Sequence, residues 1–201
     1  MTPSMGDSAK WLGILLAAGK GSRFDASGVQ NKLMQVLPSG EAVAVASAKN
    51  LLSVLPEVLA VTRPGTPELA LALQAAGCSV QTCVDAGQGM AASLVYALRQ
   101  GRDCAGWIVA LGDMPYVQRS TLQAMLQALR AGAGIVVPVH EGRRGNPVGF
   151  SHAHLPQLLA LSGDQGARSL LKNYPVTEVL VDDAGIHRDI DLPSDLHPDL
   201  G

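Results

Sequence analysis

Short apolar runs alternate with helix-spaced stretches along this chain, and that alternation leaves few folds open. Trp11–Ala17 (WLGILLA) and Val58–Thr62 read as strands, as do 79–84, 107–111 (WIVAL), 135–139 and 177–181. A strand that is apolar at nearly every position, rather than every second one, has to be buried on both faces. Between these runs the spacing predicts helices over 43–55, 67–76, Met90–Gln100 and 120–131, and short ones over 154–161 and 167–173. Gly77, Gly101 and Gly132 stand just past three of the helix ends, where a residue free to turn left-handed closes a helix. The pattern predicts an α/β fold: a Rossmann-like, mostly parallel sheet with helices on both faces. Aromatics are 3% against 47% hydrophobic, so Ala, Leu and Val must build the core, which suits helices packed closely on a sheet. A chain of 201 residues is expected to form one domain, here 10–201, behind a disordered lead-in at 1–9.

Charge narrows the function classes. The formal net charge is -2, with no basic excess to neutralise a nucleic-acid backbone, so nucleic acid is not an expected partner. A single nucleotide needs only local charge and stays open. No apolar run reaches the ~18 residues of a membrane span, so no membrane partner is expected. The run from Trp11 follows a lone Lys10 with Asp7 ahead of it, which fits a buried first strand as well as a signal peptide. Cys78, Cys83 and Cys104 form no C-x-x-C pair, which argues against a disulfide framework and structural zinc. They read as buried thiols in a reducing compartment, and the expected location is cytoplasmic.

In an open parallel sheet, ligands bind beyond the carboxyl ends of the strands. Two motifs stand there. After the first strand comes Leu16-Ala17-Ala18-Gly19-Lys20-Gly21-Ser22-Arg23-Phe24, with Lys32 further on. Small residues let backbone N–H groups approach phosphate oxygens, and Lys20, Arg23 and Lys32 add positive charge. A P-loop is excluded, because Gly13 is one residue too early and Gly21 replaces the hydroxyl residue. A dinucleotide fingerprint is excluded because Phe24 stands where its third glycine belongs. After the fourth strand comes Gly112-Asp113-Met114-Pro115. Asp113 then stands at the carboxyl edge of the sheet, suited to hold Mg²⁺ against a triphosphate, or else to cap the next helix.

Other residues carry two readings each. Ser93 contacts nucleotide or fills space. Gly89 and Met90 open a helix whose positive end faces a ligand. Arg143 and Arg144 are solvated charges or, beside Gly145-Asn146-Pro147, part of a shaped loop. Asp164 reads first as a helix cap and second as a functional acid, whereas Asp182-Asp183 reads simply as a solvated turn.

Six segments in order resemble the molybdenum-cofactor nucleotidyltransferase family: L-A-A-G-x-G-x-R from Leu16, Q-G-M-x-x-S-L from Gln88, G-D-M-P from Gly112, R-G-N-P-V from Arg144, G-D-x-G-A-R from Gly163, and D-I-D from Asp189. The pattern is most similar to molybdenum cofactor cytidylyltransferase. Leu192 departs from the family's threonine, and 25–31 is longer than the usual spacing before Lys32. The resemblance implies a nucleotide-diphospho-sugar transferase fold and Mg²⁺-dependent transfer of CMP from CTP to molybdopterin cofactor, releasing pyrophosphate. It implies catalytic roles for Arg23, Lys32 and Asp113, and nucleotide contacts from Leu16, Ala17, Ala18, Gly19, Lys20, Gly21, Ser22, Ser93 and Gly112 as well. Asp113 and Asp191, or Asp189 in its place, would hold the metal, and Met90, Arg144, Gly145, Asn146 and Pro147 the acceptor. An apo-molybdoenzyme of the xanthine dehydrogenase type is the implied protein partner. The same residues leave open GTP, another phosphorylated acceptor, or a non-catalytic cofactor carrier, although a carrier has no need of a metal–triphosphate site.

Overall fold

The computed structural model describes residues 10–25, 27, 30–163 and 167–196, with the backbone but not the side chain of Arg168. The lead-in at 1–9 and Asp164 lie outside the described residues. In chain order the strands are β1 (Trp11–Ala17), β2 (Val58–Thr62), β3 (Ser79–Thr82), β4 (Gly106–Leu111), β5 (Ile135–His140), β6 (Arg143–Arg144), β7 (Val148–Ser151) and β8 (Thr177–Leu180). The helices are α1 (Val43–Leu52), α2 (Pro67–Ala75), α3 (Met90–Gln100), α4 (Arg119–Arg130), α5 (Leu155–Leu159) and α6 (Arg168–Asn173).

The strands form one sheet in the order β3-β2-β1-β4-β7-β5-β6, with β8 also paired to β5. β1 runs parallel to β2 and β4, β2 to β3, and β5 to β8. Side chains of β1 alternate across the sheet, as strand geometry requires. Trp11, Leu15 and Ala17 meet the layer built from α1, α2 and α4. Leu12 and Ile14 meet the layer built from α3, α5 and α6. Ile14 and Leu15 are both 0% exposed, so this strand is covered on both faces. Among the described residues no helix is long and apolar enough to cross a membrane.

Two antiparallel strands lie outside the sequence expectation. β7 pairs with β4 on one side and β5 on the other, so the sheet is mixed and mostly parallel, as expected. β6 folds back on β5 through Glu141-Gly142, whose φ angles are 50 and 73. Such a two-residue reversal usually announces itself as Asn-Gly or Asp-Gly, and glutamate hides it. The helix expected over 43–55 stops at Leu52, yet the N–H groups of Val54 and Leu55 both reach the Leu51 carbonyl, and Leu55 stays buried. The strand expected over 79–84 ends at Thr82, and a 3-10 turn over Val84–Gln88 carries Val84 into solvent.

Asp182-Asp183 is only half a solvated turn. Asp183 is 1% exposed. Its carboxylate accepts from Gln118 N at 2.8 Å, Thr121 Oγ1 at 2.6 Å and Gly185 N at 2.9 Å. It thereby caps the start of α4 from 62 residues away and anchors the segment leading to Asp191.

Candidate active site

The carboxyl ends of β1 and β4 open into a cleft of about 740 Å³. The glycine loop forms one wall. Gly21 has φ +65, and its carbonyl accepts from Phe24 N at 2.9 Å and Asp25 N at 3.2 Å, which closes a tight turn. Phe24 is buried and pins the loop to the core. Ahead of Lys32, the Asp25 carboxylate accepts from Ser27 N at 2.8 Å and Gln30 N at 2.7 Å. Positions 26, 28 and 29 lie outside the described residues. Asn31 then caps a single 3-10 turn, Lys32–Met34, by accepting from Leu33 N at 3.1 Å. The longer segment therefore still delivers Lys32 to the cleft, where its side chain is 10% exposed.

Asp113 sits just past β4 with its backbone fixed from two sides. Ser47 Oγ donates to the Gly112 carbonyl at 3.1 Å, and Ile190 N donates to the Asp113 carbonyl at 2.8 Å. Asp189-Ile190-Asp191 alternates about the buried Ile190, so both acids fall on the cleft side. Asp191 and Leu192 N–H groups donate to Asp195 Oδ2 at 2.9 and 2.7 Å, which holds the turn. Lys32 Nζ joins the two halves, 2.7 Å from Asp113 Oδ2 and 3.1 Å from Asp191 Oδ1. Arg23 donates to the other oxygen of Asp191.

Burial draws the Lys32 ammonium pKa down, but Asp113 and Asp191 more than offset this, and the net shift is upward. Asp189 is shifted up, first by burial and then by the charges of Asp191 and Asp113. Asp113 Oδ1 is buried with no hydrogen-bond partner. A divalent cation fits this arrangement: two carboxylates already share one cation, and one buried oxygen has lone pairs to spare. Among the described residues no three His, Cys, Asp or Glu side chains form a metal cage. The rest of a coordination shell would come from ligand oxygens and water, as Mg²⁺ commonly accepts.

The cleft gathers most residues singled out in the sequence. Leu16, Ala18, Gly19, Lys20, Gly21, Ser22, Arg23, Lys32, Ser93, Asp113, Asp191, Met90, Arg144, Gly145 and Asn146 all line it. Ala17, Gly112 and Pro147 are not on its wall. Ala17 points into the core, because alternation along β1 turns it away from the ligand side. Gly112 is buried, and its N–H donates to Leu16 O at 2.9 Å, stitching β4 to β1. Pro147 faces a small void beside Ser47, Asn50 and Met114. Gly145 must lack a side chain: a Cβ there would lie 2.5 Å from the Ile186 carbonyl, which accepts from Asn146 N at 3.0 Å. Arg144 donates through Nε to Glu178 at 2.7 Å.

The wall also holds Arg143, Ile186, His187 and Asp189. His187 carried no sequence signal, being a lone histidine in a turn. Asp195 carried a weak one, an acid three to four residues after the backbone groups it caps.

Comparison with known proteins places the fold and the family. The MobA-like NTP transferase domain matches residues 13–179. The purine catabolism protein PucB of Bacillus subtilis (strain 168) is 32% identical over 198 residues, covering 92% of this chain and 93% of PucB. The crystal structure of Rv0371c from Mycobacterium tuberculosis H37Rv superposes with a TM-score of 0.79 at 24% identity, covering 94% of this chain and 96% of that one. A complex of Rv0371c with manganese gives 0.77 at 24% identity, covering 92% and 95%. A nucleotidyl transferase from Methanothermobacter gives 0.76 at 22% identity, covering 94% of each chain. The fold is the α/β nucleotide-diphospho-sugar transferase type. This chain is a nucleotidyltransferase and belongs to the MobA-like NTP transferase family.

Proposed function

We propose that this protein transfers CMP from CTP to the terminal phosphate of molybdopterin cofactor, with Mg²⁺ as the metal, and that residues 10–201 act as one nucleotidyltransferase domain. The observation that carries the reading is the convergence of Lys32, Asp113 and Asp191 beneath a glycine loop bearing Lys20 and Arg23. An acceptor phosphate oxygen attacks the α-phosphorus of CTP, the bond to the β-phosphate oxygen breaks, and pyrophosphate leaves. The nucleophile is already ionised, so no general base is required. The protein's task is to gather negative groups and align them.

Lys20, Arg23 and the loop N–H groups neutralise the leaving pyrophosphate. Lys32 serves the α-phosphate. Asp113 and Asp191 would hold Mg²⁺, which would supply charge neutralisation to the phosphates. Ala18 and Ser93 line the nucleotide end, and Met90, Arg144, Gly145 and Asn146 the acceptor end. Pro147, behind Asn146, shapes that loop without touching the ligand. The manganese complex of Rv0371c supports use of a divalent metal. PucB is named for purine catabolism, and xanthine dehydrogenases oxidise purines, which supports a molybdoenzyme of that type as the receiving partner. Three free thiols suit a reducing cytoplasm.

Nucleotide choice is tested by thermal shift with CTP, GTP and ATP, each with Mg²⁺. CTP stabilises most under this reading. A tenfold preference in affinity amounts to about 1.4 kcal/mol at saturation. A larger shift with GTP would overturn the assignment of the base.

A further inference from the structure

We infer that in the free protein Lys32 stands in for the divalent cation, so that metal and nucleoside triphosphate load together by an exchange of ion pairs. The inference rests on the metal role proposed for Asp113 and Asp191.

Lys32 Nζ is within 2.7 Å of Asp113 and 3.1 Å of Asp191, and Arg23 takes the remaining oxygen of Asp191. Two cations and two carboxylates thus balance to zero. The Lys32 side chain is only 10% exposed, so water does little to screen its two pairs, whereas Arg23 is 78% exposed and its pair is open to water. A metal ion arriving alone has to displace this ammonium and leave it sheltered without a counter-charge, which is unfavourable. A triphosphate removes that obstacle. Its oxygens receive Lys32 and Arg23, and the two carboxylates become free. The metal in turn reduces the repulsion between the carboxylates and the phosphates. Each ligand therefore raises the affinity of the other by the same factor. Lys20 lines the same cleft but, among the described residues, makes no ion pair, so it isolates the effect of pairing from that of charge.

The test is Mn²⁺ binding followed by electron paramagnetic resonance on the whole chain, without turnover. Wild type is titrated alone and with the uncleavable α,β-methylene analogue of CTP or GTP, so that base choice is not at stake. The expected result is a gain of about tenfold or more in Mn²⁺ affinity with an analogue present. Lys32→Met alone, with no nucleotide, should show a similar gain. Adding Asp113→Asn should remove it, and Lys20→Met should not produce it. A Lys32→Met protein that binds Mn²⁺ no more tightly than wild type overturns the exchange and leaves the metal reading standing. A gain that survives Asp113→Asn overturns the metal reading itself. Wild-type affinity that is equal with and without either analogue overturns the coupling, and this arm needs no variant to fold.

Discussion

Arg144 Nε lies 2.7 Å from Glu178 Oε1, which ties strand β6 to strand β8, 34 residues further on. Arg23 instead reaches the Asp191 carboxylate under the glycine loop. The two arginines line one cleft and are held by different carboxylates.

Removing each should separate the nucleotide and acceptor ends proposed for the cleft. Arg144→Ala is expected to leave CTP affinity nearly unchanged and to raise the KM for the acceptor. Arg23→Ala should weaken CTP binding about tenfold, the usual scale for one charge-assisted phosphate contact. Titration calorimetry with CTP alone checks this. An equal loss in both variants would put Arg144 in the nucleotide site.

Asp183 is a structural anchor, so its removal should be felt in stability rather than in ligand binding. Asp183→Ala strands the donors of Thr121 and Gly185 in a buried setting and that of Gln118 in a partly buried one. The expected loss is about 3 kcal/mol, with Tm lower by roughly 9 °C for a chain of this size. Urea and thermal unfolding measure it. A change below about 0.5 kcal/mol would match an ordinary surface position and contradict the anchoring role.

The same contact shows where sequence reasoning ran out. Two adjacent aspartates in a polar stretch look solvated, and nothing local reveals that the start of α4 waits 62 residues upstream. β1 was legible to the residue because WLGILLA is buried on both faces and a glycine turn follows at once. Asp189 and Asp191 entered only through the resemblance of D-I-D to the family, although one apolar residue between two acids is also the period of an extended chain. β7 was not: VGFS is only four residues long, and its place between β4 and β5 is set by long-range pairing. Ala17 and Gly112 show the converse. Both belong to motifs that mark the site, yet one faces the core and the other joins two strands. A motif tells where a loop is, and strand alternation decides which of its side chains meets the ligand.

Asp189 gives a pH signature. Its carboxyl is raised, so the folded protein holds this proton more tightly than the unfolded chain. The cost of ionising it is absent below the unfolded value, about 3.9, and grows as pH rises through the folded one. Asp189→Asn should therefore raise Tm slightly at pH 7, with the gain shrinking toward pH 4. Thermal melts across that range check it. A gain that is constant with pH, or larger at pH 4, contradicts the sign.

The central claim is that the cluster of Lys32, Asp113 and Asp191 moves CMP onto molybdopterin cofactor. The direct measurement follows label from α-³²P CTP in the presence of Mg²⁺ and the cofactor, with wild type and Asp113→Asn side by side. The account predicts that wild type transfers label to the cofactor and releases one pyrophosphate for each CMP moved. It also predicts that Asp113→Asn, with an unchanged Tm, falls by about a hundredfold or more, as when a charge-stabilising group is lost. No label on the cofactor from CTP, or near-full transfer by Asp113→Asn, would contradict it.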